Sequence, residues 1–159
     1  MSAWDVLFGS RIPGMNVVVI GGGSVGCEVA EFMASHHNYR GLFARKVTII
    51  EMQDNLDKTD GTNNRDYLMA RLQSKPIEIH CSSKVTQITA DAVSYEQFGQ
   101  THTIAGVDTI VVAMGSVSVN YLAEALRGCD KPVHVIGDAG KVGKIVDAIS
   151  TGRKVSLSI

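Results

Sequence analysis

Four β-branched residues, Val17-Val18-Val19-Ile20, run directly into Gly21-x-Gly23-x-x-Gly26, and this junction constrains the fold more than any other stretch of the chain. A continuous apolar run of this kind suits a parallel strand covered on both faces. The glycines then predict a tight turn into a helix, on which Val25, Val29, Phe32 and Met33 recur at helical spacing. Each glycine has its own reason to be there. Gly21 permits the turn, Gly23 lets backbone approach a pyrophosphate, and Gly26 lets the helix pack close to the strand. Amide groups at the helix start, around Ser24 and Val25, then face the phosphate, and the helix dipole favours its charge.

The rest of the chain supplies the context that a glycine triplet alone lacks. A second strand is expected over residues 46–50, a helix over 65–74 and a third strand over 77–80, which makes β-α-β-α-β. Residues 84–89, 92–97 and 101–105 are short, alternating and separated by small turns, and they read as an antiparallel meander. A buried strand over 108–113 ends at Gly115. A helix near 121–127, a strand over 133–136 and a final helix from about Lys144 follow. The fold class is therefore α/β, a Rossmann-like parallel sheet with a three-stranded antiparallel meander as a crossover. Residues 1–15 look irregular and read as a linker, broken at Gly9, Pro13 and Gly14. Residues 16–128 form the expected nucleotide domain, and 129–159 a C-terminal segment.

Glu51 stands at the end of the second strand, where a carboxylate accepts hydrogen bonds from both hydroxyls of an adenine ribose. The loop at 36–45 accounts for its long separation from Gly26. A 2′-phosphate would be repelled there, and Met52, Gln53 and Asp54 offer no base, so NAD(H) is favoured over NADP(H). Arg40, Arg45 and Arg65 are the cations within reach, and their alternative is solvated surface charge. Met52 and Gly115 complete the candidate wall of the cofactor site.

Net charge is −1, with 45% hydrophobic and 19% charged residues. That balance gives no footprint for nucleic acid or anionic lipid, and no apolar run reaches the length of a membrane span. Cys27, Cys81 and Cys129 share no metal spacing and read as small filler in a reducing cytoplasm. His36, His37, His80, His102 and His134 form no visible cluster, and no catalytic or metal-ligating residue is assigned. Ser24 has no histidine partner implied and reads as a helix-start residue.

The ordered motifs resemble those of flavoproteins with two dinucleotide-binding domains. Residues 2–7 read SAWDVL, 17–31 VVVIGGGSVGCEVAE, 47–51 VTIIE, 108–115 DTIVVAMG, 135–139 VIGDA and 146–152 VDAISTG. Nearly the whole chain is similar to the C-terminal part of the enoate reductase, 2,4-dienoyl-CoA reductase and trimethylamine dehydrogenase family. The resemblance implies an NAD(H)-binding domain that presents NADH for hydride transfer to a flavin held outside this chain. FAD, FMN and an iron–sulfur cluster are implied for a full-length parent, with that parent's remaining domains as partners. An FAD-binding glycine turn is expected before Trp4 and is absent, as is the barrel, so the chain reads as a piece of a larger enzyme. By the same resemblance residues 129–159 are the returning part of an FAD domain, with Asp138 at the FAD ribitol and Glu28 near the nicotinamide and flavin rings. Their alternatives are a loop carboxylate and a helix-dipole partner. Where the family usually has Ala-Thr-Gly and a nearby proline, this chain has Ala113-Met114-Gly115 and none.

Two other readings stay open from the sequence. The pocket of a non-catalytic nucleotide-binding module would look the same. An S-adenosylmethionine methyltransferase also pairs a glycine turn with an acid, but the meander and the Gly137-Asp138-Ala139 motif argue against it.

Overall fold

Burial on both sides of one strand organises the protein. In the computed structural model, which describes residues 1–35, 45–57 and 63–159, β1 (Asn16–Ile20) lies between β2 (Lys46–Ile50) and β7 (Thr109–Val112). With β3 (Ile77–His80) outside β2, the parallel sheet runs β3-β2-β1-β7. Val17 and Val19 face a cluster built with helix α2 (Ser24–Ser35), including Val29, Ala30 and Met33, and with Leu68 and Leu72 of α3 (Asn63–Gln73). Val18 and Ile20 face the opposite cluster, with Val93, Tyr95 and Val107. Alternate side chains of one strand thus serve two cores, which is why all four are apolar.

The second core is roofed by an antiparallel sheet of β4 (Ser83–Ile88), β5 (Ala92–Gln97) and β6 (Gln100–Ala105), in that order. Val93 and Tyr95 of β5 point into the sheet below while Glu96 points out, the alternation expected of a one-sided sheet. The register of β4 on β5 slips between Val85 and Gln87, a bulge that the sequence pattern does not show.

The chain divides into two compact units, Met1–Gly115 and Ser116–Ile159. The expected domain division lay later, at 128/129. Residues 1–15 are not all irregular, which corrects the linker expectation. Ala3–Leu7 forms helix α1, started by reciprocal bonds in which Asp5 N–H donates to the Ser2 hydroxyl (3.1 Å) and Ser2 N–H to the Asp5 carboxylate (2.8 Å). Ala3 and Val6 are buried against α2, so the opening is part of the core. The expected 36–45 loop, with His36, His37 and Arg40, lies outside the described residues except for Arg45.

In the second unit, helix α4 (Tyr121–Ala125) and α5 (Ile145–Ser156) flank a single turn of 3-10 helix, Gly137–Ala139. The strand expected at 133–136 does not form a ladder, because no strand among the described residues lies beside it to accept its hydrogen bonds. No residue of this unit is buried. Among the described residues, no helix is long and apolar enough to cross a membrane.

Asp108 ties the approach of β1 to β7. Its carboxylate accepts from the amides of Met15 (2.8 Å) and Asn16 (2.9 Å), while Gly14 N–H donates to the Thr109 hydroxyl (2.9 Å). Partial burial pushes the Asp108 pKa up, but these amides, the Thr109 hydroxyl and nearby Arg45 outweigh it and hold it below the usual value. A lowered folded-state pKa contributes stability above the ordinary carboxylate value, and loses it as pH falls through the folded value. Asp108→Asn should therefore cost about 1 kcal/mol at neutral pH, the discounted scale for an exposed charge-assisted site. In urea melts the deficit should shrink as pH drops below about 4, the ordinary carboxylate range. A deficit independent of pH would show that the charge is not what holds the approach.

Candidate functional site

The C-terminal ends of β1, β2 and β7 open onto one cavity of about 590 Å³. The chain leaves β1 towards β2 and β3 on one side and returns to β7 on the other, so the cavity lies where the strand order reverses. Open α/β sheets bind ligands at that point. Gly21, Gly22 and Gly23 form its floor, Glu51, Met52 and Gln53 its β2 side, and Ala113, Met114 and Gly115 its β7 side.

The three sequence-marked glycines differ in what holds them. Gly21 has φ +103°, and an added Cβ would stand 2.5 Å from the Ala113 carbonyl oxygen. A Cβ on Gly26 would overlap the Gly21 carbonyl oxygen, so α2 is seated as closely as glycine allows. Gly23 is the reverse case. A Cβ there would meet nothing within 4 Å, and Gly23 lines the cavity. The fold requires glycine at 21 and 26, whereas at 23 no neighbour within 4 Å does. Gly22, not singled out from the sequence, is buried and confined, since a Cβ would strike Leu56 and come within 3.0 Å of the Glu51 Cβ.

Glu51 is bound into this turn. Its carboxylate accepts from Gly22 N–H at 2.5 Å through one oxygen and from Gln53 N–H at 2.7 Å through the other. Gly21 N–H donates to the Ile50 carbonyl (2.9 Å), and the Gly22 carbonyl accepts from Asp57 N–H (2.7 Å). Each carboxylate oxygen keeps a lone pair for a further donor. Among the described residues no protein group takes the Gly23 amide, which lies just before the start of α2.

The other expected site residues are dispersed. Ser24 begins α2, and its hydroxyl donates to Asp57 at 2.6 Å. Val25 is half-buried and packs on the helix-side core. Glu28 is exposed on α2, outside the cavity lining. Asp138 belongs to the second unit, where it accepts from Gly143 N–H (3.1 Å) as a loop carboxylate just ahead of α5. Arg45 donates to the Gly14 carbonyl (2.9 Å) before the start of β2, the strand end away from Glu51. Arg65 donates to the carbonyls of Asp57 (3.0 Å) and Leu56 (3.1 Å). Among the described residues the cation lining the cavity is Lys84, which sequence spacing does not place there.

Burial pushes the Cys27 thiol up to about 12, with Asp57 and Glu51 adding to the effect, and its sulfur donates to the Gly22 carbonyl (3.3 Å). It is filler, as expected. His80 and His102, which the sequence does not group, flank Tyr95. The Tyr95 hydroxyl stands 3.1 Å from His80 Nδ1, and the Tyr95 ring stacks on His102 at 5.2 Å. No group of metal-ligating side chains occurs among the described residues.

The profile of the pyridine nucleotide-disulphide oxidoreductase family matches residues 6–146. An NADH oxidase of Thermoanaerobacter brockii is 35% identical over 99% of the chain, and a cinnamate reductase of Clostridium sporogenes 32% identical over 99%. The chain spans 24% and 23% of those two proteins, about a quarter of each. A solved 2-naphthoyl-CoA reductase complex superposes with a TM-score of 0.80 at 28% identity, covering all of this chain and 23% of that one. The enoate-reductase resemblance read from the motifs therefore holds.

The glycines give a direct test of the geometry. Gly26→Ala should cost about 2–3 kcal/mol, the scale of forced overpacking against backbone. Gly23→Ala, with open space around it, should change stability by less than about 0.5 kcal/mol. Thermal melts of both variants decide it, and equal losses would mean that the two glycines do the same work.

Proposed function

We propose, from the premise that the chain belongs to the pyridine nucleotide-disulphide oxidoreductase family, that it binds the ADP half of NAD(H) across the Gly21–Gly26 turn. The observation that carries this reading is the contrast at the glycines. Gly21 and Gly26 are required by their neighbours, while Gly23 lines the cavity, has open space where a Cβ would stand, and among the described residues has no protein partner for its amide. A pyrophosphate needs such an approach and such a donor, and the start of α2 adds the favourable end of its dipole.

The residues present fit the group. Glu51 lies on the β2 side, where its remaining lone pairs accept from the two ribose hydroxyls. Met52 offers apolar surface beside it, and Gly115 with Met114 forms the opposite wall, towards which the nicotinamide end extends. A bound dinucleotide supplies the hydride. This chain orients it and leaves the acceptor, a flavin by resemblance to the enoate reductases, to groups outside these residues. Asp138 at an FAD ribitol, Glu28 near the rings, and residues 129–159 as part of an FAD domain belong to the same proposal, as does a reducing cytoplasmic setting.

Charge sets the preference between coenzymes. Arg45 donates to the Gly14 carbonyl and Arg65 to the Asp57 and Leu56 carbonyls, and among the described residues no arginine lines the cavity at Glu51. Calorimetry should give a Kd for NADPH at least tenfold weaker than for NADH, about 1.4 kcal/mol. Glu51→Gln should remove most of that gap by removing the repulsion. Equal affinities in the unaltered chain would overturn the assignment of Glu51, and no binding of NADH at millimolar concentration would overturn the nucleotide reading.

A second expectation follows from geometry. Hydride transfer needs an acceptor near van der Waals contact with the nicotinamide. The chain by itself should be colourless and should oxidise no NADH with added enoyl substrates. Stoichiometric bound flavin with substrate-dependent turnover would place the flavin site within these residues.

A further inference from the structure

Besides Glu51, a second acid stands beside the glycine turn. Asp57 is 2% exposed, lines the same cavity as Gly21, Gly22, Gly23 and Glu51, and holds φ at +45°. That left-handed conformation is unfavourable for a residue with a Cβ, although Asp and Asn bear it better than most. Such strain persists where the surroundings over-determine it. Here every polar group of Asp57 with a partner is directed at the turn or held from behind it. Its N–H donates to the Gly22 carbonyl at 2.7 Å, its carboxylate accepts the Ser24 hydroxyl at 2.6 Å, and its carbonyl accepts from Arg65 at 3.0 Å. Leu56, whose carbonyl is held by the same guanidinium at 3.1 Å, closes over Gly22 from that side.

Resting on the nucleotide reading, we infer that Asp57 is a positioning residue for the pyrophosphate cradle. It acts through the Gly22 carbonyl on one side of Gly23 and the Ser24 hydroxyl on the other. Held at both neighbours, the peptide groups around Gly23 keep their amides turned towards the cavity before any ligand arrives. Such preorganisation lowers the ordering cost of binding. The Ser24 proton is committed to Asp57, so the Ser24 side chain serves the cradle's shape, and the phosphate meets backbone amides. Stability alone would favour glycine at position 57, since glycine carries no penalty at this φ. An aspartate there exchanges local stability for a fixed cradle.

Asp57→Gly separates the two roles. It keeps the left-handed backbone and the N–H to Gly22 while deleting the carboxylate. The full chain carrying it should melt no lower than the unaltered chain. Its affinity for ADP-ribose, measured by calorimetry, should nevertheless fall at least fivefold. Adenosine, which lacks the pyrophosphate and is followed by saturation-transfer NMR, should bind within about twofold of the unaltered chain. Asp57→Asn tolerates the same φ and retains an oxygen for Ser24, and it should restore ADP-ribose binding to within threefold of the unaltered chain, or tighter. Three results would overturn the inference: ADP-ribose binding unchanged in Asp57→Gly, affinity and melting temperature falling together, or Asp57→Asn as weak as Asp57→Gly. Failure of the unaltered chain to bind ADP-ribose at all would instead defeat the nucleotide reading on which the inference rests.

Discussion

The seating of α2 against the end of β1 is the contact on which the first unit depends. Gly26 comes so close to the Gly21 carbonyl that no side chain fits between them, and the Cys27 amide donates to the Gly23 carbonyl at 2.9 Å. That approach aims the start of the helix at the cavity and leaves the next turn of α2, with Val29, Ala30 and Met33, over Val17 and Val19. A larger residue at 26 would lift the helix from the sheet and disturb core and cavity together. Packing density and ligand geometry are set here by one close approach, and close-packed interiors transmit such a shift over their length.

Because this contact is written in local residue types, much of the first unit is legible in the sequence. The β-branched run announces a strand buried on two faces, the glycine spacing announces the turn, and alternation over 92–97 and 101–105 announces the meander. What is not legible depends on partners distant in sequence. Asp108 looks like a residue beginning a strand, yet its carboxylate gathers the Met15 and Asn16 amides. Asp57 looks like one more polar residue of a long connection, yet it is buried under the glycine turn. A carboxylate's task is defined by the amides that point at it, and no spacing rule encodes those. Helix α1 is illegible for a local reason: five residues are too few to show a helical period, and the Ser2–Asp5 capping pattern is the available signal.

The second unit shows the same limit from the other direction. Val133, Val135 and Ile136 have the composition of a strand, and α5 has the spacing of an amphipathic helix, but a strand needs a neighbour to take its hydrogen bonds. Residues 133–136 have none among the described residues, and Ile145, Val146 and Ile149 of α5 remain exposed. Within the unit, the Gly137 amide donates to the Thr151 hydroxyl at 3.0 Å, and the Lys144 amide to the Asp147 carboxylate at 2.8 Å. These local bonds give it form without a buried core. Pattern alone predicts an element's type, and burial decides whether the element is completed.

Electrostatics at the cavity bring these threads together. Two carboxylates, Glu51 and Asp57, stand beside a site proposed for a pyrophosphate, and bare proximity of like charges would weaken binding. Both, however, accept hydrogen bonds from donors fixed in the fold: the Gly22 and Gln53 amides for Glu51, the Ser24 hydroxyl for Asp57. Hydrogen bonds to an anion spread its charge over the donor groups, so each acid works here chiefly as a brace for the backbone. The amides left over, beginning with that of Gly23, are the ones proposed to meet an incoming anion. The acids thus hold the donors in place. Their residual negative charge, with Lys84 as the cation lining the cavity among the described residues, underlies the proposal that the site takes one pyrophosphate and disfavours a further phosphate at the ribose. Under the proposed function, affinity comes from backbone, shape from carboxylates, and selectivity from the charge that the carboxylates retain.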